Sequence, residues 1–326
     1  DMIRGEKNTT VVLKIVPGDA ADDSETKSIS ILRDEVKLKD KAANAELIEV
    51  EDGVGDSLKI GWINLYAFYA DMQRGTVSCS FDVKRLLERL KKENIESLVI
   101  DLRGNGGGSL EEAIRLTGLF INGGPVVQAK NAKGRITNRK SKEPTAVYDG
   151  PLVVLTDRSS ASASEIFAAA LQDYGRAVVV GDKSTFGKGT VQSLEDLSEG
   201  QIKITESKYY RINGKSTQNK GVVPDIELPV TWDIDSVGES SYPTALQWDV
   251  IRPYRHKKFV FDTSVIENVL ELHKDRLTYE PNLNYLKDVR KRYDLNKDKK
   301  FLSLKIQDRK NQKSLRKNWL LEIENR

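Results

Sequence analysis

Two stretches of the chain run from a short apolar strand through a turn into a helix. In the first, residues 95–108 read IESLVIDLRGNGGG, so that a buried strand leads into a glycine loop. In the second, PLVVLTD at residues 151–157 precedes a helix and then AVVVGD at residues 177–182. A strand that re-enters the same sheet after a helix lies parallel to its predecessor. The sequence therefore predicts an α/β fold with a largely parallel sheet.

Other elements follow from the spacing of apolar residues. Strand patterns occur at residues 11–16, 28–38, 46–51 and 58–65. One helix is indicated by apolar residues that share a helical face: Val83, Leu86, Leu87 and Leu90. Ser109 and Glu112 have the spacing of a capping box that opens a second helix. Asn213 and Gly214 predict a tight turn between strands.

The two ends of the chain differ from its middle. Residues 1–16 end in a strand with nothing before it to pair with, which we interpret as the remnant of a domain whose front is missing. Asp1 is not an initiator methionine, so we expect a fragment of a longer product. Residues 17–28 form a polar linker and residues 29–230 form the core. Residues 231–326 are rich in charge and predict a separate helical domain, with helices near residues 265–276, 283–293 and 308–324.

Composition limits the possible partners and leaves the compartment open. Fifty-two basic and 49 acidic residues leave a formal charge of only +3, which gives no argument for nucleic acid or a membrane surface as partner. The single cysteine, Cys79, excludes an internal disulfide and a cysteine-rich zinc site. No apolar run approaches the roughly 20 residues that span a bilayer, so we expect no transmembrane segment.

Ser162 lies where a strand turns into a helix, in the run SSASASE. Ser162 and Glu165 also match a capping box, and a helix start alone explains a serine there. One observation counts against that simpler interpretation: residues just upstream already offer side chains that can cap the helix. A nucleophile at this turn also gains from the unpaired N–H groups of the helix start, which stabilise developing negative charge.

Lys188 follows a glycine in TFGKGTVQ and is a candidate general base for that serine. Both histidines, His256 and His273, lie far downstream, so a Ser-Lys pair needs less rearrangement than a Ser-His pair. A lysine that burial keeps uncharged can take a proton from a hydroxyl. Gln192, four residues later, is a candidate to orient the lysine. A solvated lysine on a turn is the simpler alternative.

The loop Gly104–Gly108 suggests an anion site, because glycines let backbone N–H groups crowd a negative charge. A nucleotide site is disfavoured, since residues 181–188 miss the phosphate-loop spacing by one residue. We predict instead an oxyanion hole made by the N–H of Gly106 or Gly107 together with that of Ala163.

Three blocks, in matching order, resemble the C-terminal processing peptidases of family S41 and specifically their tail-specific protease branch. They are DLRGNGGG at residues 101–108, DRSSASASEIFAAALQDYGRAVVVGD with TFGKGTVQ at residues 157–192, and INGKSTQNKGVVPDIELP at residues 212–229. The resemblance covers most of residues 29–230. One departure is the approach to the lysine, residues 182–185, which is one residue longer than is usual in the family.

The resemblance implies an α/β core of the crotonase (ClpP/crotonase) type, a PDZ domain of which residues 1–16 are the remnant, and a helical C-terminal domain. It implies that Ser162 is the nucleophile, that Lys188 is the general base and that Gln192 positions the lysine. Asp173 also matches an acidic position of this branch. Eleven residues along a straight helix is roughly 16 Å, so we expect Asp173 to be structural.

By this resemblance the chain is a serine endopeptidase that acts on envelope proteins from their C-terminal end. The expected substrates are unfolded or tagged polypeptide C-termini, and the expected compartment is the bacterial periplasm. No cofactor and no metal are implied, and an adaptor protein is left open as a further partner. The alternative from another class is a catalytically silent binding module with the same fold.

Overall fold

The computed structural model describes residues 3, 5–17, 26–34, 42–51, 57–71, 77–231, 233, 236–259, 263–299 and 301–324. The chain divides into two compact units, residues 1–42 and residues 43–326.

The first unit contains one antiparallel strand pair. Strand β1 (Thr10–Ile15) pairs with β2 (Lys27–Leu32), and Thr10 lies opposite Leu32. The first strand therefore finds its partner after it in sequence, which satisfies backbone groups that would otherwise be unpaired. This pairing places residues 29–32, predicted to open the core, with β1 instead. Residues 35–38 of the predicted strand lie outside the described residues.

The second unit holds the remaining strands and the helices. Its strands are β3 (Asn44–Glu51), β4 (Ser57–Asn64), β5 (Ser97–Asp101), β6 (Gly124–Asn131), β7 (Ile136–Ser141), β8 (Leu152–Thr156), β9 (Val178–Gly181), β10 (Thr190–Asp196), β11 (Gln201–Tyr210) and β12 (Ile226–Glu227). Its helices are α1 (Cys79–Lys92), α2 (Leu110–Gly118), α3 (Ala163–Asp173), α4 (Thr263–Tyr279), α5 (Pro281–Lys297) and α6 (Ile306–Glu324).

The main sheet has the order β12-β9-β8-β5-β4-β3. Neighbours from β12 to β4 are parallel, and β3 closes the edge antiparallel to β4. Val99 of β5 lies opposite Val153 of β8, so the two predicted strands are adjacent. Parallel strands end at the same edge of a sheet, which brings the loops after β5 and β8 together. The predicted parallel sheet is confirmed.

A second, antiparallel sheet has the order β10-β11-β6-β7. Its strand β11 leads into the predicted turn, where the N–H of Gly214 donates to the carbonyl oxygen of Arg211 at 2.9 Å and Gly214 has φ +88°. The pairing of β10 with β11 is irregular between Val191 and Gln192. Gln192 lies opposite Thr205 beyond this bulge.

Apolar side chains from the main sheet and from helices α1 to α3 form the core. Ile100 and Val154 of the central strands are fully buried. Phe167 of α3 is also fully buried and packs between two other rings, with centroids 6.1 Å from Phe68 and 5.9 Å from Phe120. Helix α3 is therefore fixed to the sheet by its apolar face, which positions its N-terminus at the edge where the β5 and β8 loops lie.

The capping of α2 differs from the prediction. The hydroxyl of Ser109 accepts from the N–H of Glu112 at 3.3 Å, as a capping box requires. The carboxylate of Glu112 accepts instead from Ser80, because the N–H of Ser109 donates to the carbonyl oxygen of Phe68. One half of the box is thus used to join α2 to the start of α1.

The C-terminal part is helical, as predicted, and is joined to the core through a segment without regular strands. Residues 236–259, which we call the strap, run along the core surface. The N–H of Tyr254 donates to the carbonyl oxygen of Ile212 at 2.8 Å. In α4, Nε2 of His273 lies 2.9 Å from the carbonyl oxygen of Glu227. None of the described helices combines the length and apolar character that crossing a membrane requires.

Candidate active site

Ser162 is the N-cap of α3 and has φ +56° and ψ −110°. This backbone conformation is rare for a residue with a side chain and costs on the order of 1–3 kcal/mol. The preceding loop is held by the hydroxyl of Ser160, which donates to the carbonyl oxygen of Leu102 at 2.8 Å. A strained turn between a strand and a helix presents its side chain outward, as in the nucleophile elbow of other hydrolases.

The glycine loop after β5 packs directly against this turn. Asn105 is fully buried, and its carbonyl oxygen accepts from the N–H of Ala161 at 3.0 Å and from the hydroxyl of Ser164 at 2.8 Å. Gly107 has φ +101°, and a Cβ there would lie 2.9 Å from Cβ of Ser162. Only glycine fits at this position, and the loop is therefore fixed beside the candidate nucleophile.

The candidate oxyanion donors are now distinguishable. The N–H of Gly107 donates to Oδ1 of Asn105 at 2.9 Å, so it is occupied. Within the described parts of the chain, the N–H groups of Gly106 and Ala163 have no acceptor. Gly108 was not predicted, yet its N–H also has none. Gly108 forms a parallel bridge with Phe68, in which Phe68 bonds to the residues on either side of Gly108. The N–H of Gly108 itself therefore points away from Phe68.

Glu165 joins the turn at Ser162 to the loop that carries Lys188, residues 182–189, which we call the lysine loop. Its carboxylate is fully buried. Oε2 accepts from the N–H of Ser162 at 2.8 Å and from the N–H of Lys188 at 3.0 Å. Oε1 accepts from the hydroxyl of Thr185 at 2.6 Å and from the N–H of Gly187 at 2.7 Å. Two segments that are distant in sequence thus bind one carboxylate.

Burial raises the pKa of the Glu165 carboxyl to about 7, although its four hydrogen-bond donors act in the opposite direction. The carboxylic acid form carries a proton on an oxygen that already accepts two hydrogen bonds. Protonation therefore competes with one of the contacts that hold Ser162 or the lysine loop.

Tyr209 of β11 contacts both segments from the other side. Its hydroxyl donates to the carbonyl oxygen of Lys188 and lies 3.3 Å from that of Ser162. Burial raises the pKa of the Tyr209 phenol well above its ordinary value, with the Glu165 carboxylate as a further cause, so the hydroxyl stays a donor. The hydroxyl of Thr217 also lies 3.3 Å from the Lys188 carbonyl oxygen. The backbone of Lys188 is thus held on both of its polar groups.

The side chain of Lys188 is half-buried. Over the part of the chain that the structure describes, its Nζ has no hydrogen bond and no salt bridge, and none joins it to the Ser162 hydroxyl. The structure brings the two backbones together without a contact between the reactive atoms.

Gln192 does not contact Lys188 here. Its side chain is exposed, and Nε2 lies 3.4 Å from the hydroxyl of Thr205. The spacing of four residues suggested proximity, but the segment from Thr190 onward is an extended strand, which carries Gln192 away from the lysine. Its orienting role stays a prediction.

Asp173, at the other end of α3, has structural partners. It forms a salt bridge with Arg211 at 2.5 Å and accepts from Nδ2 of Asn213 at 2.7 Å. These contacts hold the turn after β11 against α3. Among the described residues, no group of three or more histidine, cysteine, aspartate and glutamate side chains is placed to hold a metal ion.

Three site residues were not predicted in their observed roles. Glu165 was recognised only as a helix cap, and its capping-box spacing was the signal available. Asn105 was read only as part of a glycine loop. Tyr209 gave no signal, because its contact depends on how β11 packs against α3.

Comparison with known proteins identifies the family. Residues 59–228 match Peptidase family S41, and residues 232–326 match the C-terminal domain of tail specific protease. A tail-specific protease of Haemophilus influenzae is 39% identical over 323 residues, covering 95% of this chain and 44% of that protein. A Staphylococcus epidermidis protein named "Probable CtpA-like serine protease" is 33% identical over 230 residues, covering 70% of this chain and 42% of that protein. The chain thus spans less than half the length of these relatives.

Solved structures agree on the fold. The photosystem II D1 C-terminal processing protease has 26% identity and a TM-score of 0.53, covering 69% of this chain and 56% of that one. Mature CPAF complexed with lactacystin has 14% identity and a TM-score of 0.50, covering 82% of this chain and 68% of that one, and shows the fold alone. The family match covers more than half of the sequence and includes the strained Ser162 turn, the glycine loop and the lysine loop. The chain belongs to peptidase family S41.

Proposed function

We propose that this protein hydrolyses peptide bonds by acyl transfer, with Ser162 as nucleophile and Lys188 as general base. Neutral Lys188 takes the hydroxyl proton while Ser162 Oγ attacks the scissile carbonyl carbon, and the ammonium then protonates the leaving amine. Water, deprotonated by the same lysine, attacks the carbonyl carbon of the acyl-enzyme. The ammonium then returns this proton to Ser162 Oγ as the acyl–oxygen bond breaks and the carboxylic acid product leaves. The observation that carries the proposal is the single buried oxygen of Glu165 that binds the N–H groups of both residues.

The oxyanion of the tetrahedral intermediate is proposed to bind the N–H of Ala163 together with that of Gly106 or Gly108. These donors have no acceptor among the described residues. Ala163 directly follows Ser162, and Gly106 and Gly108 flank Gly107, where a Cβ would lie 2.9 Å from Cβ of Ser162. The N-terminus of α3 adds a favourable dipole. The occupied N–H of Gly107 leaves that residue a packing role beside Ser162.

The substrates proposed are polypeptides processed from their C-terminal end, including envelope proteins of the bacterial periplasm. Two relatives support this choice by their names, a tail-specific protease and a C-terminal processing protease. Residues 1–16 are proposed to belong to a PDZ domain that binds substrate C-termini by strand addition. The core is proposed to be of the crotonase type, with Gln192 orienting Lys188 in the substrate-bound state.

The test uses full-length protein with Ser162→Ala, Lys188→Ala and, as a matched control, Lys183→Ala. Lys183 is an exposed lysine of the same loop. A fluorophosphonate probe should label wild type and the control at Ser162. Lys188→Ala should lose labelling and cleavage of an unfolded polypeptide by about 10²–10⁴-fold, the usual contribution of a general base. Undiminished cleavage by Lys188→Ala contradicts the mechanism, and an unlabelled wild type favours a silent binding module.

A further inference from the structure

Arg158 connects the lysine loop to the strap. Its side chain is almost fully buried after β8. Nη1 donates to the hydroxyl of Ser184 at 2.6 Å and to the carbonyl oxygen of Thr185, both on the approach to Lys188. Nε donates to the carbonyl oxygen of Val237 at 2.7 Å, on the strap. One guanidinium therefore holds the two segments together through rigid, charge-assisted hydrogen bonds.

The next strap residues contact the lysine loop directly. The N–H of Glu239 donates to the carbonyl oxygen of Phe186 at 2.9 Å. Gly238 has φ +119°, and a Cβ there would lie 2.4 Å from Nη2 of Arg158 and 2.8 Å from the Phe186 oxygen. Backbone and guanidinium meet here with no space for a side chain, so the contact requires glycine.

A third contact reaches the other side of Lys188. The carboxylate of Glu239 accepts from Nε2 of Gln218 at 3.1 Å. The side-chain oxygen of Gln218 in turn accepts from the N–H of Gly189 at 2.9 Å. Because the amide of Gln218 has one donating and one accepting end, Glu239 fixes which end faces Gly189.

We propose that residues 237–240 of the strap position Lys188 for catalysis. They fix the backbone before the lysine at Phe186 and, through Gln218, the backbone after it at Gly189. The strap belongs to the segment that matches the tail-specific protease C-terminal domain, so docking of that domain sets the lysine's alignment. This inference rests on the proposed function of Lys188. Glu239 and Gly238 are positioning residues, since they act through the loop.

The test compares two strap variants with two matched controls in full-length protein. Gly238→Ala inserts a methyl group into the contact. Its control, Gly200→Ala, is at a glycine that also has a positive φ, +81°, but with nothing within 4 Å of the added Cβ. Glu239→Ala removes the acceptor for Gln218, and Glu199→Ala removes an exposed carboxylate in the β10–β11 turn. Glu239→Gln keeps an oxygen acceptor and should restore function.

Two measurements are made on each variant: amide hydrogen exchange of residues 186–189, and the rate of fluorophosphonate labelling at Ser162. Gly238→Ala and Glu239→Ala should exchange faster in this loop. They should be labelled about 10–100-fold more slowly, as expected for a displacement near 1 Å. For cleavage, kcat should fall while KM stays within about twofold. The controls and Glu239→Gln should match wild type.

Two results overturn the proposal. One is unchanged exchange of residues 186–189 in both strap variants, and the other is faster exchange with labelling at the wild-type rate. The exchange measurement does not depend on activity. It therefore separates failure of the strap proposal from failure of the Ser-Lys mechanism. Failure of the mechanism would appear instead as equal labelling of wild type and Lys188→Ala.

Discussion

Glu165→Gln tests how Ser162 and Lys188 are held together. The substitution keeps the size of the side chain but removes its charge and replaces one oxygen by an N–H donor group. The carboxylate accepts four hydrogen bonds, from the N–H groups of Ser162, Gly187 and Lys188 and from the Thr185 hydroxyl. A glutamine oxygen serves only two of these donors. The Thr185 hydroxyl is able to rotate, but at least one buried backbone N–H loses its acceptor.

The expected magnitude follows from these contacts. A buried donor left unpaired costs about 1–3 kcal/mol, and the remaining hydrogen bonds become weaker by about 1 kcal/mol each without the charge. Removing the charge also relieves the desolvation that raises the pKa of Glu165 to about 7. We therefore expect a net loss of about 2–4 kcal/mol in the free energy of unfolding. Labelling of Ser162 should slow about 10–100-fold, because the two segments lose their common anchor.

The assay combines urea unfolding with the rate of fluorophosphonate labelling in full-length protein. Glu112→Gln is the matched control, since Glu112 is also a buried carboxylate and accepts from Ser80 at 2.8 Å. The control should lose stability yet be labelled at nearly the wild-type rate. Labelling of Glu165→Gln at the wild-type rate would refute the argument that this carboxylate aligns the site.

Three further predictions concern the same site. Gly107→Ala should abolish labelling of Ser162 in a protein that still folds by circular dichroism, because its Cβ would lie 2.9 Å from Cβ of Ser162; normal labelling contradicts the packing described. Tyr209→Phe should lower kcat about tenfold with little change in KM, since the Lys188 carbonyl loses one donor; an effect on KM alone argues against positioning. Between pH 4.5 and about 7 the folded protein retains a proton at Glu165 that the unfolded chain releases. The contribution of this proton to the free energy of unfolding is therefore full below pH 4.5 and is lost as the pH rises through 7. The difference in melting temperature between wild type and Glu165→Gln should therefore narrow as the pH rises through this range. Parallel curves count against the raised pKa.

The sequence predicted those parts of the fold that depend on local pattern. Apolar runs bounded by glycine located β5, β8 and β9, and the crossover rule then made them parallel. The antiparallel sheet order β10-β11-β6-β7 was not predicted, because it depends on the pairing of β11 with β6, two strands that are far apart in sequence and leave no local signal. The pairing of β1 with β2, which are consecutive strands, was missed because the polar stretch between them was interpreted as a linker between domains.

The candidate site shows the same contrast between local motifs, which were predicted, and contacts between distant segments, which were not. Ser162 and Lys188 lie in compact motifs that the sequence displays, and so does the helix cap Glu165. The contacts of Glu165 with Gly187 and Lys188 span more than 20 residues and depend on tertiary packing. Gln192 was assigned from its spacing and from the family resemblance. The chain after Lys188 is extended rather than helical or turned, so the two side chains are not in contact, and the orienting role of Gln192 stays a prediction.

A crystal structure of the full-length protein with a bound peptide tests most directly whether the Ser162 hydroxyl and the Lys188 amine are aligned for proton transfer. We expect Nζ of Lys188 within about 3 Å of Oγ of Ser162, shielded from water. We also expect the scissile carbonyl oxygen at the N–H of Ala163. A peptide-bound structure in which the two side chains face apart across solvent contradicts the proposed Ser-Lys mechanism.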